Sequence, residues 1–345
     1  MEFFRFSGEK SLFVAFALLS IILLSGCSKG PGFAGGKNVQ QLGGFLGGDR
    51  GLALKVIAGA PPEVVQDRGL TPFSFLMTLE NVGEAKVGEG TDNPLIIVRL
   101  LGIVHKDFGL TPESGAKRIA GPLEPARRNI DGTITPGEIT EAIFDNMAYK
   151  PAVLDSATLT IRAEACYDYE SIATTKFCMK KDFFESSQDS SICVLKGPRA
   201  VGNSGAPLHV ASVEEAPINE NTIQLNFRIE HAGRGVFFYR NTPKDNYDAC
   251  EFNDLNPNIY KVEVLVEPVQ KGTYSTDCIR LDEKIDGGGS KGVIRSPLGA
   301  PISITCFVKR ETPTEQRVYE DLLNIRLRYR YGEFLEVPVL IQSHP

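Results

Sequence analysis

The sequence predicts an all-β chain: two tandem sandwiches behind an N-terminal segment of different character. Three observations carry this. Apolar and polar residues alternate with period 2 in several stretches. Turn formers are dense, with 34 Gly and 21 Pro in 345 residues. A pattern near residue 75 returns near residue 225. Period 2 marks half-buried strands, and frequent turn signals favour β over α.

The N-terminal segment comes first. Residues 11–26, SLFVAFALLSIILLSG, form an uncharged, mostly apolar run of 16 residues. That is short of the ~20 needed to span a bilayer and close to a signal-peptide core. Arg5 and Lys10 precede it, and Glu2 and Glu9 dilute that positive flank. It ends in Leu24-Ser25-Gly26-Cys27, which resembles a lipobox: cleavage before Cys27 frees its amine while its thiol takes a lipid. The competing reading is a retained N-terminal helix. Either places the remaining chain outside the cytoplasm, held to a membrane. One acyl chain anchors only marginally, so two or more are expected. Residues 28–50 follow, with eight Gly in 23 positions. Such a composition cannot bury a core and reads as a flexible spacer.

The expected domains are 1–26 (signal or anchor), 27–50 (spacer), 51–198 and 205–345, the last two joined through GNSGAP. Residues 222–229, TIQLNFRI, place Ile223, Leu225, Phe227 and Ile229 on one face and Gln224, Asn226 and Arg228 on the other. Near the C-terminus Leu323, Ile325, Leu327, Tyr329 and Tyr331 alternate with Asn324, Arg326, Arg328 and Arg330. Gly332-Glu333 then reads as a turn, and Leu335, Val337, Val339 and Ile341 as the return strand of a hairpin. The arginines read as the solvated face of a strand rather than a docking stripe. Phe75–Gly83 matches Leu225–Gly233 at an offset of 150, and Leu52-x-Leu54 matches Leu208-x-Val210. Ile161-Arg162 with Tyr167 matches Ile325-Arg326 with Tyr331 at an offset of 164. The best helical candidates are short, 137–144 and 313–321. Many short strands with regular turns point to sandwiches of the broad immunoglobulin-like kind. The absence of Trp and the cysteine spacing separate them from antibody domains.

Of seven cysteines, Cys27 goes to the anchor. Cys166, Cys178, Cys193, Cys250, Cys278 and Cys306 form an even set, which reads as three disulfides of an exported protein. One pairing joins Cys178–Cys193, Cys278–Cys306 and Cys166–Cys250, the last across the halves. Another begins with Cys166–Cys178 across a hairpin. The spacings include no C-x-x-C, so a zinc site or a redox dithiol is not indicated.

Several stretches resemble uncharacterised archaeal surface proteins with tandem immunoglobulin-like domains. They are GLALKVIAGAPPEVV, FSFLMTLENVGEA, ACYDYESIATTKFC, SGAPLHVASVEEA, FRIEHAGRGVFF and LLNIRLRYRYG, and they span most of residues 51–331. The resemblance implies a membrane anchor, a Gly-rich spacer and a six-cysteine framework, and it implies no catalytic residues. Such proteins tend to read N-x-G-x-G where this chain has His231-Ala232-Gly233-Arg234-Gly235.

Composition bounds the function. Apolar residues at 42 % and charged residues at 23 % are globular values. A net charge of −6 argues against a nucleic-acid partner, since phosphate binding needs clustered cations. His105, His209, His231 and His344 have no metal spacing, and no G-x-S-x-G occurs. Ser204 reads as linker, and Gly287–Gly292 as a loop. Asp245, Asp248 and Asp254, with neighbouring Asn, are weak candidates for a hard cation. Otherwise they read as turn residues bonding their own backbone. Tyr167 and Tyr169 share a strand face and read as core rather than a sugar-stacking platform. No N-x-[ST] acceptor is present.

No catalytic set and no cofactor are expected. The first reading is a non-enzymatic, membrane-tethered surface protein binding a protein or glycan through loops such as 105–135 and 240–258 or through edge strands. The alternatives are a structural subunit of an envelope or membrane assembly, and an extracytoplasmic solute-binding protein or hydrolase.

Overall fold

The computed structural model describes residues 44–88, 96–181, 183, 192–240, 249–253, 255–313 and 318–344. Residues 40–345 form one compact unit. The first half of the chain contributes β1 (Leu52–Val56), β2 (Val64–Gln66), β3 (Phe73–Asn81), β4 (Ile96–Leu101), β5 (Ala116–Arg118), β6 (Arg127–Arg128), β7 (Ile134–Thr135), β8 (Ile139–Met147) and β9 (Ser156–Lys180). Then follow β10 (Gly197–Arg199), β11 (Val201–Asn203), β12 (Leu208–Asn219), β13 (Thr222–His231), β14 (Val236–Phe238), β15 (Lys261–Pro268) and β16 (Tyr274–Cys278). The chain closes with β17 (Glu283–Ile285), β18 (Gly289–Arg295), β19 (Ile302–Arg310) and β20 (Val318–Gln342). Two 3-10 turns, His105–Phe108 and Pro297–Gly299, complete the described elements, so the all-β expectation stands.

The architecture is set by β9 and β20, each 25 residues, about 80 Å of extended chain. They pair antiparallel along their whole length, from Ser156↔Gln342 to Lys180↔Val318. The sheet built on them runs β17-β18-β15-β20-β9-β4-β5. Sheet β1-β3-β8 covers one end of it and sheet β10-β12-β13-β19-β16 the other. The order is symmetric about the central pair: β4 and β5 flank β9 as β15 and β18 flank β20. The sequence repeat has the same geometry. β3 and β13 are each central in their covering sheets, with β1 and β12 beside them, and Tyr167 faces its own repeat-mate Tyr331 across the strand pair.

Alternation explains which face is buried. In β3, Phe73, Phe75, Met77 and Leu79 turn inward, onto Ile161 and Ala163 of β9, Val98 and Leu100 of β4, and Val339 and Ile341 of β20. Phe75 meets Phe144 of β8 edge to face at 6.3 Å. At the other end Ile223, Leu225, Phe227 and Ile229 of β13 are buried with Val262, Val264 and Val266 of β15 and Leu323, Ile325 and Leu327 of β20.

Several expectations are corrected. Gly332-Glu333 is not a turn; β20 runs straight through it. A two-residue turn there would pair Tyr331 with Phe334 and set Leu335 and Val337 on the opposite face. The odd-numbered apolar residues instead keep one parity from 323 to 341, as a single strand requires. Gly332 serves close approach: a Cβ there would lie 3.0 Å from the Cys250 Cβ. Neither helical candidate is a helix over its described residues, since 139–144 lies in β8 and 318–321 in β20. GNSGAP is not an exposed linker. It carries the end of β11, paired to β9, and Ser204 is buried with its hydroxyl accepting the Ile172 N–H at 2.9 Å. The spatial division therefore departs from the sequence division 51–198 and 205–345. The last half of β9 lies in the second sandwich, and the last third of β20 lies in the first. The spacer, read as 27–50, is pinned from Leu46 onward. Gly47 and Gly48 have φ of 78° and 116°, which lets the backbone turn its N–H groups to one carboxylate. Leu46 and Gly47 N–H donate to Glu84 at 2.7 and 2.9 Å.

Candidate functional site at the junction

Where the two sandwiches meet, four tyrosines stack. Tyr167 and Tyr169 of β9 and Tyr329 and Tyr331 of β20 are buried and contact one another edge to face at 5.9–6.3 Å. Each hydroxyl holds a polar partner, as buried phenols require. Tyr169 donates to Gly205 O at 2.9 Å and accepts the Ala85 N–H at 3.2 Å. Tyr331 accepts the Gly235 N–H at 2.6 Å and meets His231 Nε2 at 3.0 Å. Tyr329 bonds the Ser171 hydroxyl at 2.7 Å. The repeated glycines make this possible: a Cβ at Gly83 would sit 1.9 Å from the Tyr169 hydroxyl, and one at Gly233 2.3 Å from that of Tyr331.

Tyr167 leads to the site. Its hydroxyl accepts the Leu52 N–H at 3.2 Å and donates to Glu333 Oε1 at 2.8 Å. Glu333 lines a cleft of about 440 Å³ with Asp49, Arg50, Arg234 and an apolar wall of Leu52, Leu54, Phe334 and Leu335. A carboxylate on the inward parity of a strand loses hydration, which disfavours its charged form. Burial pushes Glu333 up to about 7, against the opposing bond from Tyr167 and the nearby Arg50. Burial likewise raises Tyr167 well above the usual phenol range. The cleft thus combines a carboxylate that titrates near neutrality, two guanidinium groups and an apolar wall. It can bind a polar or charged group and exchange a proton with it.

The cystines are Cys166–Cys250, Cys178–Cys193 and Cys278–Cys306. Of the two pairings open to the sequence, this is the one with a bridge between the halves. Cys166–Cys250 lies behind the tyrosines, in a small core with Ile97, Phe238, Ala249 and Ile259. Three cystines are characteristic of an oxidising compartment outside the cytoplasm.

Other candidates fall elsewhere. Cys27, Asp245, Asp248 and Asp254 lie outside the described residues. Among the described residues no group of three or more His, Cys, Asp or Glu is placed to hold a metal. His105 Nε2 meets Leu100 O at 2.8 Å and His209 Nε2 meets Gly48 O at 3.0 Å, both structural contacts. The three arginines of β20 form a solvated face only in part, since Arg326 and Arg328 stay about one third exposed while Arg330 is buried. Arg326 and Arg328 pair with Glu170 at 2.8 and 2.6 Å, and buried Arg330 pairs with Asp168 at 2.9 Å. Burial outweighs Arg330 and raises the Asp168 carboxyl. Glu333 itself escapes a reading that treats it as a turn residue; its odd parity within an apolar alternation is the signal that marks it. Among the described residues no helix is long and apolar enough to cross a membrane. No known family model matches the chain, and no curated protein matches it.

Proposed function

We propose that this chain is a non-enzymatic, membrane-tethered protein outside the cytoplasm. It recognises a partner protein through the junction cleft and the loops around it. The observation that carries the reading is Glu333. A core-facing carboxylate, with Tyr167 on one oxygen and two arginines beside it, opposes folding and is explained by recognition. The three cystines and the shared β9–β20 pair support a stiff platform on which such a cleft keeps its shape. The Leu24-Ser25-Gly26-Cys27 signature supports the tether.

The test is photocrosslinking on intact cells from a reactive residue at Arg234, compared with one at Ile130 on the β6–β7 hairpin. A reproducible neighbour from position 234, absent from 130 and lost in Glu333→Gln, is expected. No reproducible neighbour from 234 overturns the reading. A second reading, a subunit of an envelope assembly, draws on β8, an edge strand that exposes Ile139 and Ile143. Concentration-dependent polymers in sedimentation would favour it.

A further inference from the structure

The duplicated plan sets the two halves side by side, residue by residue. Tyr167 of β9 corresponds to Tyr331 of β20, Leu52 of β1 to Leu208 of β12, and Glu84 to Arg234, each just after its matched glycine. In the second sandwich the outer edge of β9 is filled. β11 pairs with it antiparallel, from Val201↔Thr175 to Asn203↔Ala173. Ser204 bonds the Ile172 N–H and C=O, and the Gly205 N–H that follows donates to Glu84 at 2.7 Å. The Asn203 side chain crosses to the covering sheet, where its amide holds both the N–H and the C=O of Val210, at 2.8 and 3.0 Å.

The corresponding edge of β20 is bare. β14 leaves it at Gly332 and β2 joins it at Leu340. Alternate residues of a strand direct their N–H and C=O to the same edge. Leu340 N–H and Gln342 O bond on the β2 side, and the register with β9 has no shift. Phe334 and Glu336 therefore point both backbone groups to that side, and Pro338 its C=O. Across the cleft Leu54 corresponds to Val210. Gly51 and Ile57 bond β3, so Leu54, of the other parity, turns its N–H and C=O away from it. Among the described residues none of these groups has a hydrogen-bond partner. Leu335 and Val337 stay half-buried although they face inward, whereas their counterparts Ser171 and Ala173 are buried. Residues 44–48, which correspond to the β11 segment, run elsewhere: Leu46 and Gly47 bond Glu84, and Gly48 O accepts the Ala206 N–H.

An unpaired edge beside half-buried leucine and valine is a template for an added strand. Its surroundings say which strand. Lying as β11 lies on β9, it brings its C-terminal end to Arg234. The path that Gly205–Leu208 takes onward is here occupied by the chain's own Asp49–Leu52, so the added strand ends at that point. Where Glu84 accepts an N–H from a chain that continues, Arg234 offers donors, which suit a terminal carboxylate. Arg50 stands in the same cleft. Of the carboxyls there, Asp49 lies 3.9 Å from Arg50, and burial holds Glu333 toward its neutral form.

We propose that this edge takes the free C-terminal segment of the partner protein as a short antiparallel strand, its terminal carboxylate at Arg234 and Arg50 and an Asn one residue earlier on the Leu54 backbone. The proposal rests on the recognition reading above and names the part of the partner that enters the cleft.

The chain supplies its own probe, the peptide Arg-Ala-Val-Gly-Asn-Ser of residues 199–204, labelled at its N-terminus and left free at its C-terminus. Titrated against the full-length protein in detergent micelles and followed by fluorescence anisotropy, it should bind saturably. Amidating its C-terminus, replacing its Asn by Leu, or Arg234→Ala in the protein should each weaken binding about tenfold. Hydrogen exchange should show new protection at the Phe334 and Glu336 amides. Equal binding of acid and amide, no binding of either, or protection confined to other strands overturns strand addition. A reproducible neighbour crosslinked from position 234 without peptide binding leaves the recognition reading standing and overturns this proposal alone. A crosslinked neighbour that is a second copy of this chain, joined other than by its C-terminus, also overturns it. No neighbour at all overturns the recognition reading, and this proposal with it.

Discussion

The two sandwiches are built on the same plan and stabilised differently. The second, with β12, β13 and β19 over β15 and β20, contains Cys278–Cys306 between adjacent strands and Cys178–Cys193 at the end of β9. Among the described residues the first, with β1, β3 and β8 over β4 and β9, has no cystine of its own. It is held by aromatic and methionine packing around Phe75, Met77, Phe144 and Met147, and by the last third of β20, which arrives from the far end of the chain. The difference teaches that one half folds around local staples, while the other is completed only when the C-terminal strand is delivered. Long-range pairing of this kind carries its loop-closure entropy before contacts repay it.

The largest expected effect breaks that dependence. Truncation after Tyr331 removes Val339 and Ile341 from the first core and the only described partner strand of β2. Hydrogen exchange should show the first sandwich losing protection throughout, while β12, β13 and β19 retain it. Equal loss in both would show that the halves fold as one. Next come matched core truncations. Met77→Ala and Phe227→Ala, at equivalent positions of β3 and β13, should each lose about 2–5 kcal/mol. In denaturant melts followed by proteolysis, only the first should expose the first sandwich at native conditions. Removing the bridge between the halves with Cys166→Ala and Cys250→Ala, a separation of 84 residues, should lower stability by about 4 kcal/mol.

A pH dependence comes next. Burial raises Glu333 at the junction and Glu215 in the second sandwich to about 7 each. A carboxyl raised on folding binds its proton more tightly in the native state. Stability therefore falls as pH rises from the unfolded pKa through the folded one, and stays lower above it. For buried Glu215 the shift corresponds to about 3 kcal/mol. Asp67 acts in the opposite sense, because the His344 and Val153 N–H groups lower it; its contribution is present at neutral pH and lost in strong acid. Calorimetric melting temperature should fall from pH 5 to pH 8, and Glu333→Gln should flatten the junction's share. A flat wild-type profile would contradict the burial assigned to both carboxyls. The smallest effect belongs to Arg328→Ala, a half-exposed ion pair in which a loss of about 1 kcal/mol or less is expected in denaturant melts.

Period-2 alternation made β3, β13 and both arms of β20 legible, because a half-buried strand imposes that pattern wherever it lies. The Gly83 and Gly233 match was legible as part of the strand repeat. Its cause, a tyrosine hydroxyl seated against each glycine, was not, since that contact joins residues far apart in sequence. Arg330 illustrates the same limit: its buried partner Asp168 is 162 positions away.

By itself, then, the sequence determined what is local. It set the β class, the inward faces, the even cysteine set and the duplicated strand pattern, because each follows from side-chain periodicity or residue count. The tertiary structure alone decided how the halves interlock. Only the full-length pairing of β9 with β20 turns Gly332-Glu333 from an apparent turn into mid-strand, places Glu333 beside Tyr167, and opens the cleft between two sandwiches. Those relations depend on strand positions 138 to 186 residues apart meeting in register, and no periodicity within either strand encodes its partner.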